Sequence, residues 1–186
     1  MSIRYLLSLW LAVAVCSPAQ AGDCGPWPAG VTVRVAAGKA LSWKGDFNRD
    51  GTEDVLELVS VAPGFAPPPE VALANPWDRK PAAVPPEGEP MALAVTHGAK
   101  DGACRRFLLV HRDFFATPLW SAFANGEPEA SAVAIAAAGS RAHADWKRTV
   151  RSLRGDGIVL GTEAGIDILL YWKEKRYAIF WPDEEP

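Results

Sequence analysis

An acidic segment between residues 46 and 57 combines residue types and a spacing that could bind a metal ion. Side-chain oxygens fall at loop positions 1, 3, 5 and 9, which are occupied by Asp46, Asn48, Asp50 and Asp54. Thr52 stands at position 7, where such a loop offers a backbone carbonyl, and a glycine at position 6 allows the sharp turn. A hard cation such as Ca²⁺ takes roughly six to eight oxygen ligands, and this spacing wraps oxygens around one point. The segment therefore predicts a Ca²⁺ site.

The elements that must position this loop are predicted to be strands rather than helices. Glu57 at position 12 completes the spacing of an EF-hand, but Glu53 stands at position 8, where an EF-hand needs an apolar residue. The following residues, 55–61, are rich in β-branched types and favour a strand. We therefore predict a calcium loop between two strands, with Glu57 kept only as a candidate sixth ligand.

The run GDFNRDGTEDVLELV, residues 45–59, resembles the calcium-binding core of FG-GAP repeats, whose pattern is D-x-[DN]-x-D-G-x-x-D followed by an apolar strand. The resemblance implies Asp46, Asn48, Asp50 and Asp54 as side-chain ligands and Thr52 as a carbonyl ligand. It covers fifteen residues in a single copy, without the Phe-Gly element upstream, so it does not imply a propeller. The general layout is also similar to small bacterial periplasmic or secreted proteins that carry one such loop.

The alternative interpretation of this segment is an Asx-rich turn that binds no metal, because Asp, Asn and Gly form turns anyway. Calcium sites of extracytoplasmic modules have dissociation constants of roughly 10⁻⁴–10⁻³ M, which suits permanent occupancy outside the cell. We expect a structural role for the ion, since it would neutralise clustered carboxylates and hold two strands in place.

Residues 1–21 have the organisation of a secretory signal peptide. Arg4 supplies the positive charge, residues 6–16 form a short apolar run, and Ala19-Gln20-Ala21 is a small-x-small cleavage pattern. The apolar run is shorter than the about 20 residues that a membrane span needs. We therefore expect a periplasmic or secreted product, residues 22–186, and rank a buried N-terminal helix below it. Lipid anchoring at Cys16 is disfavoured because Val15 stands where a lipoprotein signal peptidase takes a small residue.

Export would leave two cysteines in the mature chain, Cys24 and Cys104. An even pair in an oxidising compartment predicts a disulfide that pins the N-terminus to the strand near Cys104. Closing a loop of 80 residues would stabilise the fold by roughly 3–4 kcal/mol in the chain-entropy model. The net charge of −3 and the lack of a Lys/Arg block argue against a nucleic-acid partner.

The hydrophobic pattern predicts a mainly β protein with room for one or two short helices. We expect one compact antiparallel-sheet domain over residues 22–186, with a C-terminal β-hairpin. Predicted strands cover residues 31–36, 41–43, 55–61, 91–96, 106–112, 119–123 and 158–161, whereas 131–138 and 146–153 fit either a helix or a strand. Residues 62–90 contain nine prolines and predict an irregular excursion that interrupts this domain.

The hairpin is predicted over residues 166–172 and 176–181, which are dense in aromatic side chains. Cross-strand packing in the core is the favoured role of these rings. The alternative is an exposed binding face for a sugar or a peptide, which would include Tyr171, Trp172 and Tyr177, together with Trp77 from the proline-rich excursion.

No motif in the chain identifies an enzyme. The histidines are His97, predicted to be exposed before a turn, His111, predicted to be structural, and His143, two residues before Asp145. No GxSxG, HExxH or phosphate-binding glycine loop is present. We therefore expect an exported, non-catalytic calcium-binding domain that binds an envelope protein or another ligand. The alternative is a small secreted hydrolase or carbohydrate-active module with a structural Ca²⁺.

Overall fold

The computed structural model describes residues 24–36, 38–76, 82–84, 86–87, 90–98, 103–110, 133–161 and 166–182. Within these ranges the chain is mainly β, as predicted. In chain order the strands are β1 (Val31–Val33), β2 (Val35–Ala36), β3 (Lys39–Ala40), β4 (Ser42–Gly45), β5 (Asp54–Val61), β6 (Val71–Ala74), β7 (Met91–His97), β8 (Arg105–Leu109), β9 (Val133–Ala136), β10 (Gly157–Leu160), β11 (Ile168–Lys173) and β12 (Arg176–Phe180); helix α1 (Arg141–Thr149) follows β9. The predicted signal peptide, the strand at 119–123, Trp77 and His111 lie outside the described residues.

The first sheet has the strand order β1–β5–β7–β8–β6, and β4 also pairs with β5. All these pairs are antiparallel except β6 with β8. Strands β1 and β4 lie end to end along one edge of β5, because Val33 pairs with Val59 and Ser42 pairs with Glu57. The predicted strand 31–36 is therefore divided: its last two residues leave the sheet and form the small β2–β3 hairpin.

The second sheet has the order β12–β11–β10–β9 and is antiparallel throughout. The predicted C-terminal hairpin is its β11–β12 pair, and Glu174 and Lys175 form the turn with φ of 51° and 65°. Of the two ambiguous segments, residues 131–138 contain strand β9 and residues 146–153 contain the end of α1. Ser140 caps the helix, since its hydroxyl oxygen accepts a hydrogen bond from His143 N at 3.1 Å.

The two sheets pack face to face through alternate residues of their strands. Leu56, Leu58, Leu93 and Val95 of the first sheet share one buried cluster with the inner side chains of the second, Ile158, Leu160, Ile168, Leu170 and Tyr177. Helix α1 covers the outer face of the second sheet, where Trp146 packs with Leu169 and Tyr171. Both faces of the β11–β12 hairpin are therefore in apolar contact, one with the first sheet and the other with α1.

The outer face of the first sheet is covered by the N-terminal segment and by part of the proline-rich excursion. Trp27, Phe65 and Val84 pack there against Val59, Ala92, Ala94 and Leu108. The excursion was predicted to be irregular, but it contains one strand, since residues 71–74 form β6 and extend this sheet. No helix among the described residues is long and apolar enough to cross a membrane.

The disulfide Cys24–Cys104 is present, which confirms the prediction, with the two Cα atoms 5.7 Å apart. It ties the N-terminal segment to the residue that precedes β8. Arg106 strengthens the attachment because its guanidinium donates hydrogen bonds to the carbonyl oxygens of Cys24, Gly25 and Pro26. The same guanidinium lies over the Trp27 ring, 4.9 Å from the ring centroid.

Candidate functional site

The acidic loop connects two antiparallel strands, since Gly45 at the end of β4 pairs with Asp54 at the start of β5. Two of the predicted ligand oxygens face the same backbone group: Asp46 Oδ1 and Asn48 Oδ1 accept from Asp50 N at 3.0 and 2.9 Å. Asp46 Oδ2 also accepts from Gly51 N at 3.0 Å, and Asn48 Nδ2 donates to Asp50 Oδ2 at 2.9 Å. The side chains of Asp46, Asn48 and Asp50 are therefore gathered on one turn.

The turn carries clustered negative charge. Burial raises the pKa of Asp46 above its usual value, and the neighbouring carboxylates of Asp50 and Asp156 contribute to that increase. Burial also acts on Asp50, but hydrogen bonds from Asn48 and Thr52 outweigh it and lower the pKa of Asp50. Asp50 is thus held in the anionic form, and its negative charge repels the carboxylate of Asp46.

Asp54, the fourth predicted side-chain ligand, lies apart from this turn in the core. Its side chain is fully buried, and Oδ2 accepts from Phe47 N at 2.8 Å and from Asn48 N at 3.3 Å. Oδ1 accepts from Gly98 N at 3.1 Å, which connects the loop to the end of β7. Burial raises the pKa of Asp54 to about 7 in spite of these hydrogen bonds. Asp54 therefore anchors the loop to the first sheet.

Glu57 and Thr52 are the remaining predicted ligands. Glu57 is three residues beyond Asp54 on the same strand, so its side chain projects from the opposite face of the sheet. There its Oε2 accepts from Trp27 Nε1 at 2.7 Å. Glu57 therefore does not belong to the loop cluster. Thr52, the predicted carbonyl ligand, has a buried side chain, and its backbone N donates to Asp50 Oδ1 at 2.8 Å.

The acidic loop supplies only part of the ligand set that a cation site needs. Among the described residues no three His, Cys, Asp or Glu side chains gather around a point that could hold a metal ion. The donors that lie together are Asp46, Asn48 and Asp50, and all of their acceptor atoms are the oxygens that Ca²⁺ prefers. A bound cation would relieve the repulsion between the Asp46 and Asp50 carboxylates.

His97 is buried at the loop end of the inter-sheet core, and the prediction that it is exposed is wrong. It is only 2 % exposed, and its Nε2 lies 2.7 Å from the hydroxyl of Tyr177. Rings of Phe107 and Trp172 surround it, with centroids 5.0 and 4.7 Å away. Burial lowers the pKa of His97 to about 4, so the imidazole is neutral at pH 7.

An open cleft of about 310 Å³ lies between the acidic loop and the C-terminal hairpin; we call it the loop cleft. Its lining residues are Asn48, Asp50, His97, Gly98, Ala103, Arg105, Trp172 and Lys175. It therefore combines one carboxylate, two cations and an aromatic wall, and all of them come from elements that the two sheets bring together.

Asp156, which no motif in the sequence singled out, connects the loop to the second sheet. Asp156 Oδ2 accepts from Asp46 N at 2.9 Å, Oδ1 accepts from Ala138 N at 2.6 Å, and Asp156 N donates to Asp46 O at 2.9 Å. The contact needs glycine next to it, because a Cβ on Gly155 would lie 2.6 Å from Asp46 O. The Gly-Asp-Gly sequence just before β10 was the available signal.

The predicted aromatic binding face is divided by the alternation of the strands. Tyr171 lies on the outer face of the second sheet, is buried under α1, and its hydroxyl is 3.3 Å from Ser152 Oγ. Tyr177 and Trp172 point inward, where Tyr177 is buried and Trp172 is half-buried. The two tyrosines therefore belong to the packed core, and Trp172 alone reaches the loop cleft.

His143 and Asp145 do not form a catalytic pair. His143 is buried, with Nε2 3.1 Å from the carbonyl oxygen of Gly155, so it supports the chain next to Asp156. Asp145 lies on the exposed side of α1, where Arg148 Nη2 is 2.7 Å from Oδ1 and Arg141 lies one turn away.

Comparison of the chain with protein-family models, with curated proteins and with solved structures yields no match.

Proposed function

We propose that the protein is an exported, non-catalytic binding domain whose acidic loop holds a Ca²⁺ ion and whose loop cleft receives the ligand. The observation that carries the proposal is the convergence of Asp46 Oδ1 and Asn48 Oδ1 on Asp50 N. The loop is thereby closed with three oxygen-bearing side chains on one turn. That turn also forms one wall of the loop cleft.

In this proposal Asp46, Asn48 and Asp50 hold the ion, with water completing its coordination. Asp54 mainly supports the loop backbone from the core side, because both of its oxygens already accept backbone N–H groups. A carboxylate has about four lone-pair positions, so Asp54 retains acceptor capacity. The ion would neutralise the turn and so fix the position of the cleft wall.

Export is supported by the signal-like sequence of residues 1–21 and is compatible with the disulfide of the folded chain. A periplasmic or extracellular location would supply the calcium that a site of modest affinity needs. The cell envelope is accordingly where we place the ligand or partner protein.

Calorimetric titration of residues 22–186 with CaCl₂ tests the metal site. We expect one ion to bind with a dissociation constant of roughly 10⁻⁴–10⁻³ M. The double variant Asp46→Ala, Asp50→Ala should lose this binding, because two of the three gathered side chains are removed. Unchanged affinity in the double variant contradicts the proposed site.

Glu53→Gln is the matched control for this titration. Glu53 is an acidic residue of the same loop, but its Oε1 pairs with Lys44 Nζ at 2.7 Å. Its loss should leave calcium binding unchanged within a factor of about two, since an exposed ion pair contributes little.

A second candidate function, a small hydrolase, is favoured by one observation: His97 and Asp50 line the same cleft. Against it, His97 Nε2 is engaged by Tyr177. Chromogenic esters and glycosides provide the test. Turnover that His97→Gln abolishes and His143→Gln retains would establish the hydrolase, and absence of turnover in the parent protein would reject it for those substrates.

A further inference from the structure

Two cations of the loop cleft have no acidic partner among the residues that the structure describes. The Arg105 and Lys175 side chains are exposed, and neither makes an ion pair or a hydrogen bond within the described part of the chain. Arg105 begins β8, directly after the disulfide, and Lys175 occupies the β11–β12 turn. Each cation is therefore held by a well-fixed element, although the two are far apart in sequence.

The cleft also contains groups that suit hydroxyls. Asn48 keeps one Nδ2 hydrogen beyond its bond to Asp50, and the Asp50 carboxylate keeps lone pairs beyond its bonds to Asn48 and Thr52. A ligand that carries only carboxylates, such as an acidic peptide, would be repelled by Asp50. A ligand with one acidic group and several hydroxyls would match both the cations and the acceptors.

The aromatic wall is rigid. The Trp172 ring meets the rings of His97, Phe107 and Tyr177 edge-on, with interplanar angles of 79°, 70° and 66°. These contacts fix the side chain before any ligand arrives, so little conformational entropy is lost on binding. The cleft of about 310 Å³ is at the small end of ligand pockets, which span about 300–1,000 Å³. That size favours one or two sugar rings over a folded partner.

We propose that the loop cleft binds an acidic saccharide, with the carboxylate or sulfate between Arg105 and Lys175 and the sugar ring against Trp172. This inference rests on the proposed binding function and specifies its ligand. Sugar hydroxyls face Asn48 and Asp50. Calcium in the acidic loop increases the affinity, because it offsets the charge of Asp50.

Calorimetry of the disulfide-intact protein tests this assignment with three small probes. They are a glucuronate–glucose disaccharide, neutral cellobiose and the dipeptide Glu-Glu. We expect the uronate to bind at least tenfold more tightly than either of the others, and more weakly as salt is raised, because exposed charges are screened. Equal binding of cellobiose overturns the role of the cations, and tighter binding of the dipeptide overturns the saccharide.

Variants locate the site. Arg105→Ala and Lys175→Asn should each weaken uronate binding about tenfold, as expected for loss of a charged hydrogen bond. Asparagine is chosen at position 175 because it tolerates the positive φ there. Lys147→Gln, on the exposed side of α1, is the control and should bind normally. Unchanged affinity in both cleft variants, with unchanged thermal unfolding, overturns the proposal.

The same titrations in calcium and in EDTA separate this inference from the metal site. Calcium binding without uronate binding overturns the saccharide assignment and leaves the metal loop intact. Uronate binding that is equal in calcium and in EDTA supports the cleft but contradicts its coupling to the loop.

Discussion

At the scale of single residues, the decisive feature is a buried polar group of three side chains, Asp54, His97 and Tyr177. None of them is more than 4 % exposed. Asp54 satisfies three backbone N–H groups, and His97 and Tyr177 satisfy each other. Because a buried polar atom without a partner costs about 1–3 kcal/mol, His97 and Tyr177 depend on each other, and the N–H groups of Phe47 and Gly98 depend on Asp54.

Tyr177→Phe should lower the free energy of unfolding by about 1–3 kcal/mol, because the buried His97 Nε2 loses its partner. Tyr171→Phe is the matched control: its hydroxyl makes only a 3.3 Å contact to half-buried Ser152. That variant should lose less than about 1 kcal/mol. Urea unfolding followed by circular dichroism measures both, and equal losses would contradict the interpretation.

Two of these groups should give opposite pH dependences in calcium-free buffer. Burial lowers the pKa of His97 from 6.5 to about 4, so unfolding takes up a proton in that range and stability falls as pH falls. Burial raises the pKa of Asp54 from 3.8 to about 7, so the folded state binds the extra proton and stability falls as pH rises. In the parent protein the two effects oppose each other between pH 4 and about 6.5.

The variants should separate these effects. His97→Gln leaves the Asp54 contribution, so its stability should increase as the pH is lowered from 7 to 4. Asp54→Asn leaves the His97 contribution, so its stability should decrease from pH 6.5 to 4. Urea unfolding at several pH values measures the slopes, and slopes of the same sign in the two variants would show that other groups dominate.

At the scale of elements, the acidic loop is held by a contact between sheets rather than by its own strands alone. Phe47 fills the inter-sheet core, and Asp156, the residue just before β10, accepts from the loop backbone. Hydrogen bonds therefore link three segments into one unit: the acidic loop, the β9–α1 connection and the turn before β10. Its position sets the wall of the loop cleft.

Gly155→Ala should disrupt this hydrogen-bonded unit. The new methyl group would lie against the carbonyl oxygens of Phe47 and Asp46, and backbone atoms cannot move aside as flexible side chains do. We expect a loss of at least about 3 kcal/mol in the free energy of unfolding, at the upper end of overpacking costs. Gly139→Ala is the control, since no atom lies within 4 Å of its Cβ and only its positive φ of 86° is unfavourable. It should lose about 1 kcal/mol, measured by urea unfolding, and a similar loss in both variants would contradict the steric explanation.

At the scale of the whole molecule, each sheet is covered on both faces. Helix α1 covers the second sheet, and the N-terminal and proline-rich segments cover the first. The N-terminal cover is a short segment before β1, and the disulfide and Arg106 hold it against the sheet.

Replacing both Cys24 and Cys104 by serine should lower the free energy of unfolding by about 3–4 kcal/mol, because the unfolded chain regains the freedom of an 80-residue loop. Arg106→Ala with the disulfide intact is the comparison and tests the second attachment. Urea unfolding with and without reductant measures the effect. A parent protein whose stability does not change on reduction would contradict it.

Local sequence alone determined the strand pairs around the acidic loop and the C-terminal hairpin. These features follow from neighbouring residues, since alternation, turn residues and β-branched runs act over a few positions. The grouping of Asp46, Asn48 and Asp50 on one turn is equally local. The disulfide followed instead from the number of cysteines after residue 21, because Cys24 and Cys104 are 80 positions apart. The calcium ion itself, export and the ligand stay predictions.

Only the tertiary structure decided which of these residues meet. Asp54 and Glu57 belong to one sequence pattern, but the strand places them on opposite faces, so Glu57 pairs with Trp27 and Asp54 enters the core. The pairing of β5 with β7 brings Gly98 to Asp54, and the packing of the sheets brings Tyr177 to His97. Such contacts join residues up to 110 positions apart, as Asp46 and Asp156 show. No local pattern encodes them, because they arise from the way two sheets bury their apolar faces against each other.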